Sequence, residues 1–185
     1  MFAARKEIDV SERDADPADE FRRRAEGTNV NEDTLLATDY LNHFNEVVML
    51  IDLLPSMPDV SADIRAWQPK GYVSHFEASG LRDGALAIAA YPYALESARA
   101  GLEETVEEIN KVIVAGRSEL QFNLELEDDA GVEHLCAELS RYLRHLIDVA
   151  ASHINGTLPA AGDETAAADD PDPDDIQAAI DALME

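Results

Sequence analysis

Disulfide bonds cannot hold this chain together, because Cys136 is its single cysteine among 185 residues. That residue sits among apolar neighbours in a helix-like pattern and reads as core, since free cysteine is among the most buried side chains. Positive charge is scarce: 14 Lys and Arg stand against 39 Asp and Glu, a formal net charge of −25. Such a field repels phosphate backbones and anionic headgroups, so neither nucleic acid nor a membrane surface is expected as a partner, whereas a basic protein is tolerated. The N-terminus runs from Met1 into Arg5, Lys6 and Glu7 with no apolar leader, and no stretch is long and uncharged enough to span a bilayer. A cytoplasmic location is the expectation. Gly-rich phosphate loops, Cys-x-x-Cys pairs and a Gly-x-Ser-x-Gly elbow are also missing, so no motif points to the chemistries they carry. Asn155-Gly156-Thr157 has the form of a glycosylation sequon, but without a leader it reads as a helix end.

What is present is helical periodicity, and it predicts an all-α fold: a bundle of about three long and two to three short helices. Residues 1–30 alternate charge signs with few apolar anchors and read as a mobile arm, with Phe21-Arg22-Arg23-Arg24 as its basic spot. The bundle core is expected over 31–156. Leu36, Tyr40, Phe44, Val47, Val48, Ile51 and Leu54 recur every three or four residues, with Asn31 or Asp33 as cap and Pro55 as stop. Between 59 and 80, Pro69, Gly71 and Gly80 interrupt the pattern and predict two brief helices, with Trp67 as an anchor. An Ala-rich helix from Asp83 must divide at Tyr91-Pro92-Tyr93, because proline lacks the N–H and clashes with the preceding turn. Leu95, Ala98, Leu102, Val106, Ile109, Ile113 and Leu120 then define a long helix over about 94–121. Residues 121–127 alternate like a strand but have no pairing partner, and read as a helix end and loop. Val132 to Ile154 make the last core helix, capped by Asp128 or Asp129 and closed by Asn155-Gly156.

The remaining residues separate into two parts. Residues 157–172 hold almost nothing to bury and read as a disordered acidic linker; 157–185 together carry nine Asp and Glu and no Lys or Arg. Over 173–185 an amphipathic helix is predicted: Asp172 caps, Pro173 takes the first helical position, Asp174 and Asp175 complement the dipole, and Ile176, Ile180 and Leu183 share one face. So short a helix gains its stability by docking. The segment Gln177-Ala178-Ala179-Ile180-Asp181-Ala182-Leu183-Met184 resembles the helical peptide with which FliM-type flagellar switch proteins and CheZ-type chemotaxis phosphatases bind the response regulator CheY. The resemblance implies a protein partner held by Ile180 and Leu183 as apolar anchors, with Asp181 as a polar contact; Ile176 and Met184 join them as candidate partner-binding residues of the same helix. It covers only this tail. The acid and Gln one turn apart that a CheZ-like phosphatase uses have Glu119 with Asn123 as their nearest analogue.

Histidines and carboxylates supply the candidate metal ligands. Asp39, His43 and Glu46 fall at i, i+4 and i+7 on one flank of the first helix, and His153 lies at the edge of the last helix's apolar face, so two facing helices offer candidate ligands. The Glu-x-x-His repeat of di-iron bundles is absent, and a structural polar network is the favoured reading. His134, His145 and Asp148 count to the solvent face, while His75 and Glu77, two apart, do not face together. No cofactor is predicted, with a divalent metal as the minority alternative. The function expected is a non-catalytic interaction or regulatory protein whose tethered C-terminal helix captures a protein partner, with homodimerisation of the bundle allowed. The alternatives are a metal-dependent helical enzyme and a structural oligomer with a self-docking tail.

Overall fold

The computed structural model describes residues 16–157 and is all-helical, with α1 (Pro17–Ala25), α2 (Asn42–Leu53), α3 (Ser61–Ala66), α4 (Tyr72–Ser79), α5 (Gly84–Ala90), α6 (Glu96–Glu125) and α7 (Asp129–Asn155). Three 3-10 turns, Thr38–Leu41, Pro58–Val60 and Tyr91–Tyr93, join them. The two longest helices form an antiparallel hairpin. Glycines fix its register, for methyl groups built on Gly101 and Gly116 of α6 would strike His153 and Leu139 of α7. Its bend is short: Glu127 takes a positive φ of 55°, and the Asp128 carboxylate accepts from the Gly131 N–H at 3.0 Å, satisfying a donor that the helix start leaves open. A bend this tight leaves the two helices no choice but to pack on each other.

Helix α2 lays Phe44, Val47, Val48 and Ile51 against that hairpin, each at most 4% exposed, and Asp52 and Arg144 form an ion pair across the α2–α7 boundary. Each large apolar side chain so buried contributes about 1.5–3 kcal/mol, whereas the exposed ion pair adds at most about 1 kcal/mol. Burial therefore carries this junction. Arg117 of α6 donates to the carbonyls of Arg65 and Trp67 at 3.3 and 3.2 Å, placing a cation at the negative end of α3. Pro92 ends α5 as expected, and the chain turns through Tyr91–Tyr93 into α6.

Three expectations are corrected. The mobile arm over 1–30 does not hold for residues 17–25, which form α1: Asp16 accepts from the Ala18 N–H at 3.0 Å, Pro17 starts the helix, and Ala18, Phe21 and Ala25 meet the core. The first core helix starts at Asn42 instead of near Asn31, because the Asn31 side chain accepts from the Asp33 and Thr34 N–H groups and Leu35 adopts a φ of 60°, which bends the chain away from a helix. The long helix continues past 121 to Glu125, its last turn carrying the alternating segment. The linker over 157–172, beyond Thr157, and the helix over 173–185 lie outside the described residues, as do residues 1–15.

Candidate functional site

A concave region runs along α2 beneath α3, the 67–71 connection and α4. One depression of about 500 Å³ is lined by His43, Glu46, Asp63, Trp67 and Lys70 among others; a second of about 140 Å³ adjoins it, lined by Asn42, His43, Glu46, Lys70 and His75. His43, Glu46 and Lys70 belong to both.

The floor is an aromatic cluster. The His43 ring stacks on Trp67 with centroids 4.7 Å apart, and the Trp67 indole N–H donates to the His43 carbonyl at 3.2 Å. His43 Nε2 lies 3.0 Å from the Gln68 carbonyl, and Tyr40 donates its hydroxyl to the Lys70 carbonyl at 2.8 Å. These contacts tie an irregular connection, rich in backbone groups, to a regular helix. His75 completes the cluster from α4, with its ring centroid 6.0 Å from His43 and 5.6 Å from Tyr40.

Both imidazoles are buried, at 5% and 9% exposure, and burial lowers their pKa values below the ordinary 6.5. Hydrogen bonds to the backbone of Gln68 and Asp39 oppose the shift without cancelling it, while the Lys70 charge adds to it. The rings are therefore neutral at neutral pH. His75 Nε2 is enclosed without a hydrogen-bond partner. Chemically the cluster is a set of aromatic and imidazole planes locked by backbone hydrogen bonds, with a carboxylate and an ammonium at its rim.

The four candidate ligands do not converge. Asp39 lies in the 3-10 turn before α2, so the expected i, i+4, i+7 face is broken; its carboxylate accepts from Asn29 Nδ2 at 2.9 Å. Glu46 is exposed at the rim. His153 lies on the α6–α7 boundary against Gly101, with Nδ1 buried and unpartnered and its pKa lowered by burial against the opposing pull of Glu104. Among the described residues no group of three His, Cys, Asp or Glu is placed to hold a metal ion. His75 is the participant that sequence reasoning missed. Its signal was the spacing Tyr72, His75, Phe76, which puts it on the buried face of α4; pairing it with Glu77 obscured this. His134 is exposed, as its helical count implied.

The phosphatase-like pair is also engaged locally, as Asn123 Nδ2 donates to the Glu119 carbonyl at 3.1 Å. Cys136 is 3% exposed and its thiol is pushed up to about 11, by burial foremost, opposite to the shift a nucleophile needs. Among the described residues no helix is long and apolar enough to cross a membrane. The partner-binding residues Ile176, Ile180, Asp181, Leu183 and Met184 lie outside the described residues; α7 delivers the chain toward them at Gly156, a left-handed cap with φ of 65°. Compared with known proteins, the chain matches no protein-family model, no curated protein and no solved structure.

Proposed function

We propose that the protein is a non-catalytic helical scaffold that presents its C-terminal segment, residues 173–185, to a protein partner of the response-regulator type. The observation that supports this is a single core cluster built from the described residues. Leu102, Ile109, Ile113, Leu143 and Ile154 are at most 2% exposed and belong to that cluster, so the apolar stripes of α6 and α7 have partners in each other and in the shorter helices. The side chains of Ile176, Ile180 and Leu183 are then available to a groove on another protein. The imidazole cluster fits a structural role in the same reading, since its polar atoms mostly serve the chain's own backbone.

The test is binding to a CheY-type receiver domain by titration calorimetry. The full chain is expected to bind, removal of residues 172–185 to abolish binding with the helical circular dichroism of the core retained, and Ile180→Ala or Leu183→Ala to weaken it about tenfold, as loss of one apolar anchor does. Equal binding by the truncated chain would overturn the proposal.

A further inference from the structure

The pole of the molecule where α7 ends brings exposed apolar side chains beside a run of arginines. Gly156 packs beside Thr34, since a methyl group built on it would lie 3.3 Å from the Thr34 side chain. The Thr34 carbonyl accepts from the Leu95 N–H at 3.0 Å. Leu95 and nearby Tyr93 are 49% and 42% exposed, two of the large apolar side chains that the described surface leaves open. Tyr93 stacks on Phe21 of α1 with centroids 4.9 Å apart, and the Arg24 guanidinium lies over the Phe21 ring, 5.1 Å from its centroid. Arg22, Arg23 and Arg24 form the only run of consecutive cations among the described residues. Their pairings with Asp19 and Glu20 are exposed, and such pairs exchange partners at little cost.

We infer that residues 173–185 of the same chain rest on this patch, with Ile176, Ile180 and Leu183 against Tyr93 and Leu95 and the tail carboxylates facing Arg22, Arg23 and Arg24. Charge and proximity carry the assignment. The segment beyond Thr157 is purely acidic with a few apolar residues, the complement of an arginine run beside exposed apolar side chains. It leaves the domain at this pole, and the residues between 157 and 173 extend up to about 50 Å at 3.3–3.6 Å each. A tether of that length gives an effective concentration of about a millimolar, so even a contact with a dissociation constant of about 1 mM is half occupied. The apparent affinity of the tail for another protein then falls about twofold, and about tenfold for a contact ten times tighter. The patch acts as a resting place from which a partner must displace the tail. This goes beyond the proposed capture and does not depend on it.

A nitroxide attached at residue 185 of the full chain through Glu185→Cys tests the inference, buried Cys136 being inert to the label. Selective broadening of the Phe21, Arg24, Tyr93 and Leu95 amide resonances is expected, relative to those at the hairpin bend around Leu126. It should be lost in Arg22→Glu/Arg23→Glu/Arg24→Glu, and reduced severalfold in wild-type background at about 1 M salt, where charge contacts are screened beyond about 3 Å. Uniform broadening, broadening of another face, or broadening that survives charge reversal overturns it. So does the same broadening on a nitrogen-15-enriched chain mixed with a labelled unenriched one, which would place the tail on a second copy. No receiver domain is present in this experiment, so its failure is distinct from failure of the capture.

Discussion

Replacing Gly116 by alanine measures how tightly α6 and α7 are pressed together. A methyl group there would stand 2.6 Å from both Leu139 Cδ atoms, about 1 Å inside the separation at which carbon atoms attract. Leu139 is 4% exposed, so its methyls have no route into solvent. Two terms compete: alanine is favoured over glycine inside a helix by about 1 kcal/mol, while overpacking a filled interior costs about 1–3 kcal/mol. Gly116→Ala is expected to destabilise by up to about 2 kcal/mol, the difference of those terms. Leu139→Ala removes the obstruction and leaves a cavity, at a cost of about 2–5 kcal/mol. In that background Gly116→Ala regains the helix preference and fills part of the space, so it should stabilise by about 1 kcal/mol. The coupling energy is then the overpacking cost itself. Urea unfolding of the four proteins, followed by circular dichroism with the slope checked for constancy, reads it directly. Additivity within about 0.5 kcal/mol, or a shift of the same sign in both backgrounds, refutes the close approach. Gly101→Ala should cost less, because the ring it meets belongs to His153, which is only partly buried and can rotate outward.

Other outcomes follow from the buried polar groups. His43 and His75 have depressed pKa values, so the folded state favours their neutral forms; their contribution is intact above the ordinary 6.5 and is lost as pH falls from there through the folded-state values, where the unfolded chain binds more protons. Urea midpoints measured from about pH 7.5 to 5.5 should fall, and His75→Gln should flatten the slope; a midpoint unchanged by that substitution at every pH would contradict the assignment. Thr34 is fully buried and donates its hydroxyl to the Ile154 carbonyl at the end of α7, so Thr34→Ala should destabilise by about 1–3 kcal/mol through the unpaired carbonyl. Thr34→Ser should restore most of that loss in the same denaturation assay. Cys136 should resist an aromatic disulfide reagent in the native protein and react stoichiometrically in urea, and rapid native labelling would show that the α2–α7 boundary opens readily.

Periodic burial was the part of the fold written in the sequence. The stripes of α6 and α7 run long enough that Leu102, Ile109, Ile113, Leu139 and Leu143 could be assigned to the core by spacing alone. Helix α1 escaped because its buried face is made of Ala18, Phe21 and Ala25 between charges, too little apolar area to signal a core element without knowing that Tyr93 waits opposite Phe21. The start of α2 escaped for a different reason. The Asn31 side chain can cap a helix or close a turn, and only Leu35 at positive φ decides between them. The candidate metal set assumed that one helix carried Asp39, His43 and Glu46, and the 3-10 geometry of residues 38–41 moved the first of them out of line. The burial of His75 was legible in its spacing with Tyr72 and Phe76, but its place beside His43 was not, since nothing local brings α4 beside α2.

The segment from Asn31 to Ala37 has a consequence for the order of folding. It bonds to itself through Asn31 and Leu35, to α4 where the Ala37 N–H donates to the Tyr72 hydroxyl, and to α7 across a separation of 120 residues. The α6–α7 hairpin closes through a short bend, whereas these bonds require almost the whole described chain to be gathered first. The hairpin should therefore form early and this strap last, and in the native protein the strap's amide protons should be among the first to exchange with deuterium.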